Sequence, residues 1–177
     1  MKSKKVSLDA NLWTNRNIEC PYELIREVFL ITNIEHLKGE ITNCFYYALK
    51  LKLSHRIKIS DLKRDLFIMR SLMKASYNIL LDSKENGQKE LVKKDNESIK
   101  DGLGALNFEE YQNPYIVFQN VFKRTTLMQV DDLVYDLIEV ISYKRMTDYS
   151  NHSIPAMFSH KILEACWLIN ERLKEKY

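Results

Sequence analysis

The sequence predicts an all-α fold: a single-domain helical bundle of five to seven helices with one long polar loop. Only four Gly and three Pro occur in 177 residues, which leaves few of the tight turns that a sheet of many short strands requires. In several separate segments, apolar residues recur at intervals of three and four, the period of an amphipathic helix. With 45% apolar and 29% charged residues, the composition is that of an ordinary globular domain.

A chain of this length forms one domain and buries enough surface for a core without disulfide bonds. We therefore assign residues 1–177 to one helical domain. Residues 1–20 are polar with a few apolar anchors, and we interpret them as an N-terminal arm. Pro21 follows, and it suits the first turn of a helix because the missing N–H of proline has no intrahelical partner there.

Two further helices are predicted before the loop. Thr32 and Glu35 have the spacing of a capping box, which indicates either the start of a second helix or a bend within one longer helix. Ser60 is the expected N-cap of the next helix, whose apolar stripe is wide and continues to about Asp82. A helix that is apolar on several sides needs neighbours on several sides, so we expect this one to be central.

Residues 83–106 differ in character from the helices around them. They contain alternating lysines and acidic residues, with Gly102 and Gly104 near the end. A polar segment of this length without apolar periodicity is typical of an exposed loop. We predict that residues 83–106 form a flexible loop.

The second half of the chain holds the remaining helix signals. Capping-box patterns occur at residues 107–110 and 126–129, and Pro155 suits the start of the last helix. Between these signals the apolar period is regular enough to assign inward faces. For the chain as a whole, the residues expected in the core are Leu66, Met69, Met73, Phe118, Phe122, Leu133, Leu137, Ile141, Ile162 and Ile169.

Charge and cysteine usage argue against several classes of function. A net charge of +3 is too small to indicate a nucleic-acid-binding surface. Cys20, Cys44 and Cys166 are far apart and odd in number, so neither a disulfide framework nor a metal site is predicted. Without a Gly-rich phosphate loop, no cofactor is expected. The chain shows no signal peptide and no apolar run of about 18 residues, which predicts a cytoplasmic protein without membrane contact.

One short stretch offers a catalytic alternative. Arg145 and His152 are separated by six residues and stand between the two last predicted helices. This arrangement resembles the HEPN family of small helical bundles, many of which are metal-independent ribonucleases. The resemblance implies that His152 is the acid or base for the ribose 2′-hydroxyl and that Arg145 stabilises the phosphate. Both roles suit the residues, because histidine titrates near neutrality and arginine binds phosphate with a fork of donors.

The leading hypothesis is a non-enzymatic protein that acts through protein–protein interaction or self-association. Its basis is strong helical amphipathicity without convergent reactive groups. Segments 59–81 and 114–127 have more apolar residues than one inward stripe requires, which predicts an interaction surface there. Under this hypothesis no catalytic residue is assigned, and nucleic acid is a partner only in the ribonuclease alternative.

Overall fold

The computed structural model describes residues 5–48, 58–86, 103–143 and 153–175. These ranges contain seven α-helices, one short 3-10 helix and no strand, so the predicted all-α bundle is confirmed. In chain order the elements are the 3-10 helix Ala10–Leu12, α1 Pro21–Ile31, α2 Ile34–Ala48, α3 Ile59–Asn86, α4 Phe108–Gln112, α5 Tyr115–Phe122, α6 Leu127–Tyr143 and α7 Ser153–Lys174.

Helix α3 lies at the centre of the bundle. It contacts α1, α2, α5, α6, α7 and the 3-10 helix. Its apolar side chains Leu66, Met69 and Met73 are completely buried, and the polar side chains of Ser71 and Asn78 on the same helix are buried too. The central position that the wide apolar stripe predicts is therefore confirmed.

The predicted core is largely confirmed. Nine of the ten side chains named from the apolar period are buried: Leu66, Met69, Met73, Phe118, Leu133, Leu137, Ile141, Ile162 and Ile169. The tenth, Phe122, is partly buried and packs against the core. Its ring stands edge-on to Tyr77, with 5.2 Å between the ring centroids.

Of the four N-caps predicted from the sequence, two are confirmed and two are wrong. Capping boxes form at Asn107, which begins α4, and at Thr126, which begins α6. At α2, however, the side chain of Asn33 accepts from the backbone N–H of His36 at 2.7 Å, while Thr32 ends α1. Asparagine is the stronger N-cap of the two, which explains the shift by one residue. Ser60 lies inside α3 rather than at its N-cap.

The N-terminal arm is attached to α3 by specific contacts. The side chain of Asn78 is bound to both backbone groups of Val6: its oxygen accepts from the N–H at 3.0 Å, and its nitrogen donates to the carbonyl at 2.8 Å. Leu8 and Ile18 are buried in the common core. The arm therefore contributes to the fold of the domain.

The predicted loop is shorter than expected at both ends. Helix α3 continues to Asn86, because Ser83, Lys84 and Glu85 are compatible with a helix that is already formed. At the other end, Leu103 and Leu106 are buried in the core. Residues 87–102 lie outside the described residues, so the prediction of flexibility stays a prediction for them.

Candidate functional site

Helix α6 presents an outward surface with two large apolar side chains. We call Met128, Asp132, Tyr135 and Glu139 the α6 face; their spacing of four, three and four residues places them along one side of the helix. Met128 is 72% exposed and Tyr135 is 49% exposed. The opposite side of α6 is buried, as the apolar period predicts. Exposed Met and Tyr in line on a helix are residue types enriched at protein interfaces.

The position of α6 is fixed at its first turn. The side chain of Gln129 accepts from the backbone N–H of Thr126 at 2.9 Å, and the hydroxyl of Thr126 accepts from the N–H of Gln129 at 3.2 Å. This reciprocal cap satisfies backbone donors that have no partner within the helix. Met128 is held in the same turn, so the α6 face begins on an ordered helix end.

A buried arginine, Arg70, lies against the ring of Tyr135. The guanidinium of Arg70 lies 5.4 Å from the centroid of the Tyr135 ring. Arg70 donates from Nε to Asp131 at 2.6 Å and from Nη1 to Asp9 at 2.5 Å. Burial alone would lower the pKa of Arg70, but these carboxylates outweigh burial and raise it, so the guanidinium stays charged. A fixed cation under the ring gives Tyr135 a preferred orientation.

The α6 face carries negative charge that no other described residue neutralises. Asp131 is paired with Arg70, but Asp132 and Glu139 form no ion pair with another described residue. Both are exposed and flank the two apolar side chains. The face therefore combines apolar contact area with two carboxylates that no described side chain pairs.

Most of the surplus apolar residues of segments 59–81 and 114–127 are buried inside the bundle. Ile68 and Leu72 on α3 and Val117 and Phe118 on α5 are completely buried. These segments need apolar residues on several sides because each is enclosed by other helices. Ile59, at the start of α3, is 44% exposed, and an interaction surface on these two segments stays a prediction. The exposed apolar side chains of α6 were not predicted from the sequence.

Arg145 and His152, the residues of the ribonuclease hypothesis, lie outside the described residues. The hypothesis therefore stays a prediction.

Cys20 is exposed at the N-cap of α1 and lines a groove of about 550 Å³, but no histidine contributes to the lining. Within the described ranges, His, Cys, Asp and Glu side chains form no group of three that could hold a metal ion. In the same ranges, each helix is too short or too polar to cross a membrane.

A buried polar cluster between α2 and α7 was also missed by sequence reasoning. Glu164 is completely buried, is paired with Lys38, and accepts from the backbone N–H groups of Ala105 and Leu106 at 2.9 and 3.2 Å. His160, one turn earlier on α7, lies 3.1 Å from the hydroxyl of Thr42. Both oxygens of Glu164 have partners, so this carboxylate joins three parts of the fold.

Comparisons with known proteins add no assignment. No protein-family model, curated protein or solved structure matches the chain. The α6 face is therefore the candidate site on its own geometry.

Proposed function

We propose that this protein is a non-enzymatic helical bundle that acts by binding another protein through the α6 face. One observation carries the proposal. Met128 and Tyr135 are 72% and 49% exposed, and they lie on the same side of α6 as the exposed carboxylates of Asp132 and Glu139. An oriented aromatic side chain with apolar and charged neighbours has the composition of an interface hot spot. Because Arg70 already orients Tyr135, less side-chain freedom is lost on binding.

The charge of the face indicates the chemistry of the partner. Two free carboxylates beside two apolar side chains complement a segment with apolar residues flanked by lysine or arginine, such as a basic amphipathic helix. Self-association through this face is disfavoured. In a two-fold dimer the face would meet its own copy, and Asp132 and Glu139 of both chains would be brought together. We therefore favour a different protein as the partner.

Binding of synthetic amphipathic peptides tests the proposal. Fluorescence anisotropy would compare a basic peptide with an acidic peptide that has the same apolar residues. We expect the basic peptide to bind more tightly, and its affinity to fall as salt is raised. Tyr135→Ala should weaken binding by about tenfold or more, the range of interface hot spots.

The matched control is Leu30→Ser, since Leu30 is also an exposed apolar side chain, 69% accessible at the end of α1. This variant should bind the basic peptide as the wild type does, and circular dichroism should show both variants folded. Equal affinity for basic and acidic peptides would overturn the proposal. Sedimentation that shows a dimer which Tyr135→Ala dissociates would also overturn it, in favour of self-association.

A further inference from the structure

The N-terminal arm follows α3 from the last third of that helix towards its middle. Contacts made by three arm residues fix this course. In the order of the arm they are Val6 with Asn78, Asp9 with Lys74, and Trp13 with Ser71. Because the partners on α3 come in falling order, the arm is antiparallel to α3 over this stretch.

Helix α6 lies beside the arm and runs in the same direction. Asp131 on α6 is 3.8 Å from Nζ of Lys74 and accepts from Arg70, and Tyr135, one turn later, lies against Arg70. The partners of α6 on α3 therefore also come in falling order. The arm and α6 are neighbours along the same stretch of α3, and its two cations contact carboxylates of both.

This arrangement places Leu12 level with Tyr135. Leu12 ends the 3-10 helix, and its backbone N–H donates to the carbonyl of Asp9 at 3.1 Å. The next residue, Trp13, is bound through its indole to the residue that follows Arg70 in α3. Leu12 is 43% exposed. An exposed apolar side chain of the arm is thus joined to the α6 face through Asp9 and Arg70.

The strip between the arm and α6 presents carboxylate oxygens to solvent. The side chains of Asp9 and Asp131 are 22% and 30% exposed, whereas Arg70 and Lys74, which bind them, are 8% and 10% exposed. The cations therefore lie beneath the carboxylates. Exposed carboxylates beside apolar side chains are also what the α6 face consists of, so the arm continues the chemistry of that face.

We propose that the partner of the α6 face also binds the arm, with Leu12 as a further apolar contact beside Tyr135. The inference rests on the proposed function and concerns the same partner, a basic amphipathic helix of another protein. A helix seated along the boundary between α6 and the arm meets Tyr135 with one edge of its apolar stripe and Leu12 with the other. Its lysine or arginine side chains reach the carboxylates of Asp9 and Asp131.

The test uses the basic peptide of the anisotropy measurements and the variant Leu12→Ser. We expect this variant to bind the peptide about fivefold more weakly than the wild type, the effect of losing an energetically important interface contact. Leu30→Ser is the matched control, because it makes the same substitution at another exposed leucine, and it should bind as the wild type does.

Two NMR signals keep the test independent of how well the variant folds. The indole N–H of Trp13 donates to Ser71 at 2.9 Å, so its signal reports whether the arm of Leu12→Ser is still attached to α3. In the wild type, the methyl signals of Leu12 should shift when the basic peptide is added, while those of Leu30 should not.

The inference and the proposed function fail in different ways. Unchanged affinity of Leu12→Ser with its arm attached, equal weakening by Leu12→Ser and Leu30→Ser, or Leu12 methyl signals that ignore a bound peptide would each refute the contact with the arm alone. The proposed function would survive these results if Tyr135→Ala still weakens binding. A basic peptide that does not bind the wild type would remove the proposed function and this inference together.

Discussion

Asp9 and Arg70 are 61 positions apart in the sequence, and Nη1 of Arg70 donates to Oδ2 of Asp9 at 2.5 Å. The same carboxylate oxygen accepts from Nζ of Lys74 at 2.6 Å, and Arg70 also binds Asp131. Three parts of the chain, the arm, α3 and α6, are thus joined by one network of two cations and two carboxylates. Because Arg70 lies under Tyr135, the arm supports the α6 face through this network.

Asp9→Asn should destabilise the protein near neutral pH by about 1–3 kcal/mol, the cost of leaving charged partners incompletely paired. Asp9 has φ of 52°, a left-handed conformation that asparagine also tolerates, so the substitution removes the charge without adding backbone strain. Urea unfolding at pH 7, followed by circular dichroism, measures the difference in free energy.

The effect of Asp9→Asn should depend on pH. Burial alone would raise the pKa of Asp9, but hydrogen bonds from Lys74 and Ser7 and the charges of Lys74 and Arg70 hold it below the ordinary 3.8. The stabilisation is therefore complete above about pH 4 and is lost as the pH falls through the lowered value. The wild type and the variant should converge in acid. A constant difference down to the lowest pH at which both fold would show that the charge of Asp9 contributes nothing.

The sequence predicts the helices of this fold because their apolar period is local. It does not predict the polar residues buried along α3. Arg70, Lys74 and Asn78 have the residue types of a solvated face, and each acquires its partner from a segment between 61 and 72 positions away. Such pairs depend on the complete tertiary arrangement, and nothing in the spacing around these residues indicates them.

The candidate site could be predicted from the sequence even less than the buried polar residues could. The apolar period of α6 predicts its buried side, but exposure of Met128 and Tyr135 depends on which neighbours cover the helix. The position of Leu12 beside Tyr135 likewise depends on how the arm and α6 pack on α3. For Arg145 and His152, the sequence argument still stands alone.

His160→Gln should reduce the loss of stability in mild acid. Burial and the charge of Lys38 lower the pKa of His160 below its ordinary 6.5, against the opposing effects of a hydrogen bond with the backbone of Lys38 and the charge of Glu164. The unfolded chain therefore takes up this proton first as the pH falls. The contribution of neutral His160 is complete above pH 6.5 and decreases below it.

Unfolding free energies between pH 5 and pH 8 test this prediction. The wild type should lose more stability than His160→Gln on going from pH 7 to pH 5.5, while the two curves should run parallel above pH 7. A steeper acid loss in the variant would mean that His160 gains a proton on folding, contrary to the lowered pKa.

Gly39→Ala should stabilise the protein by about 1 kcal/mol, because glycine inside a helix costs about that much relative to alanine. Gly39 lies within α2, and a Cβ atom built there meets nothing within 4 Å apart from the adjoining backbone of its own helix. Thermal unfolding should show a rise in Tm of about 2–4 °C for a chain of this size. Gly39→Val is the graded control: its β-branched side chain is less suited to a helix, so its gain should be smaller. A lower Tm for the alanine variant would contradict the open surroundings of Gly39.

Only one of the three free cysteines should react with a thiol reagent in the folded protein. Cys20 is exposed, whereas Cys44 and Cys166 are buried. Burial raises the pKa of Cys166 to about 12 despite a hydrogen bond with Ser76, and burial together with Glu40 and Asp65 raises that of Cys44. The thiolate is the reacting form, so both buried thiols are protected, because the reagent cannot reach them and because they stay protonated.

Titration with an aromatic disulfide should show one reactive thiol per chain without denaturant and three in urea. Cys20→Ser should abolish the rapidly reacting thiol and leave two thiols that react only when the protein unfolds. A second rapid equivalent in the native wild type would show that the core around Cys44 or Cys166 opens far more often than its complete burial implies.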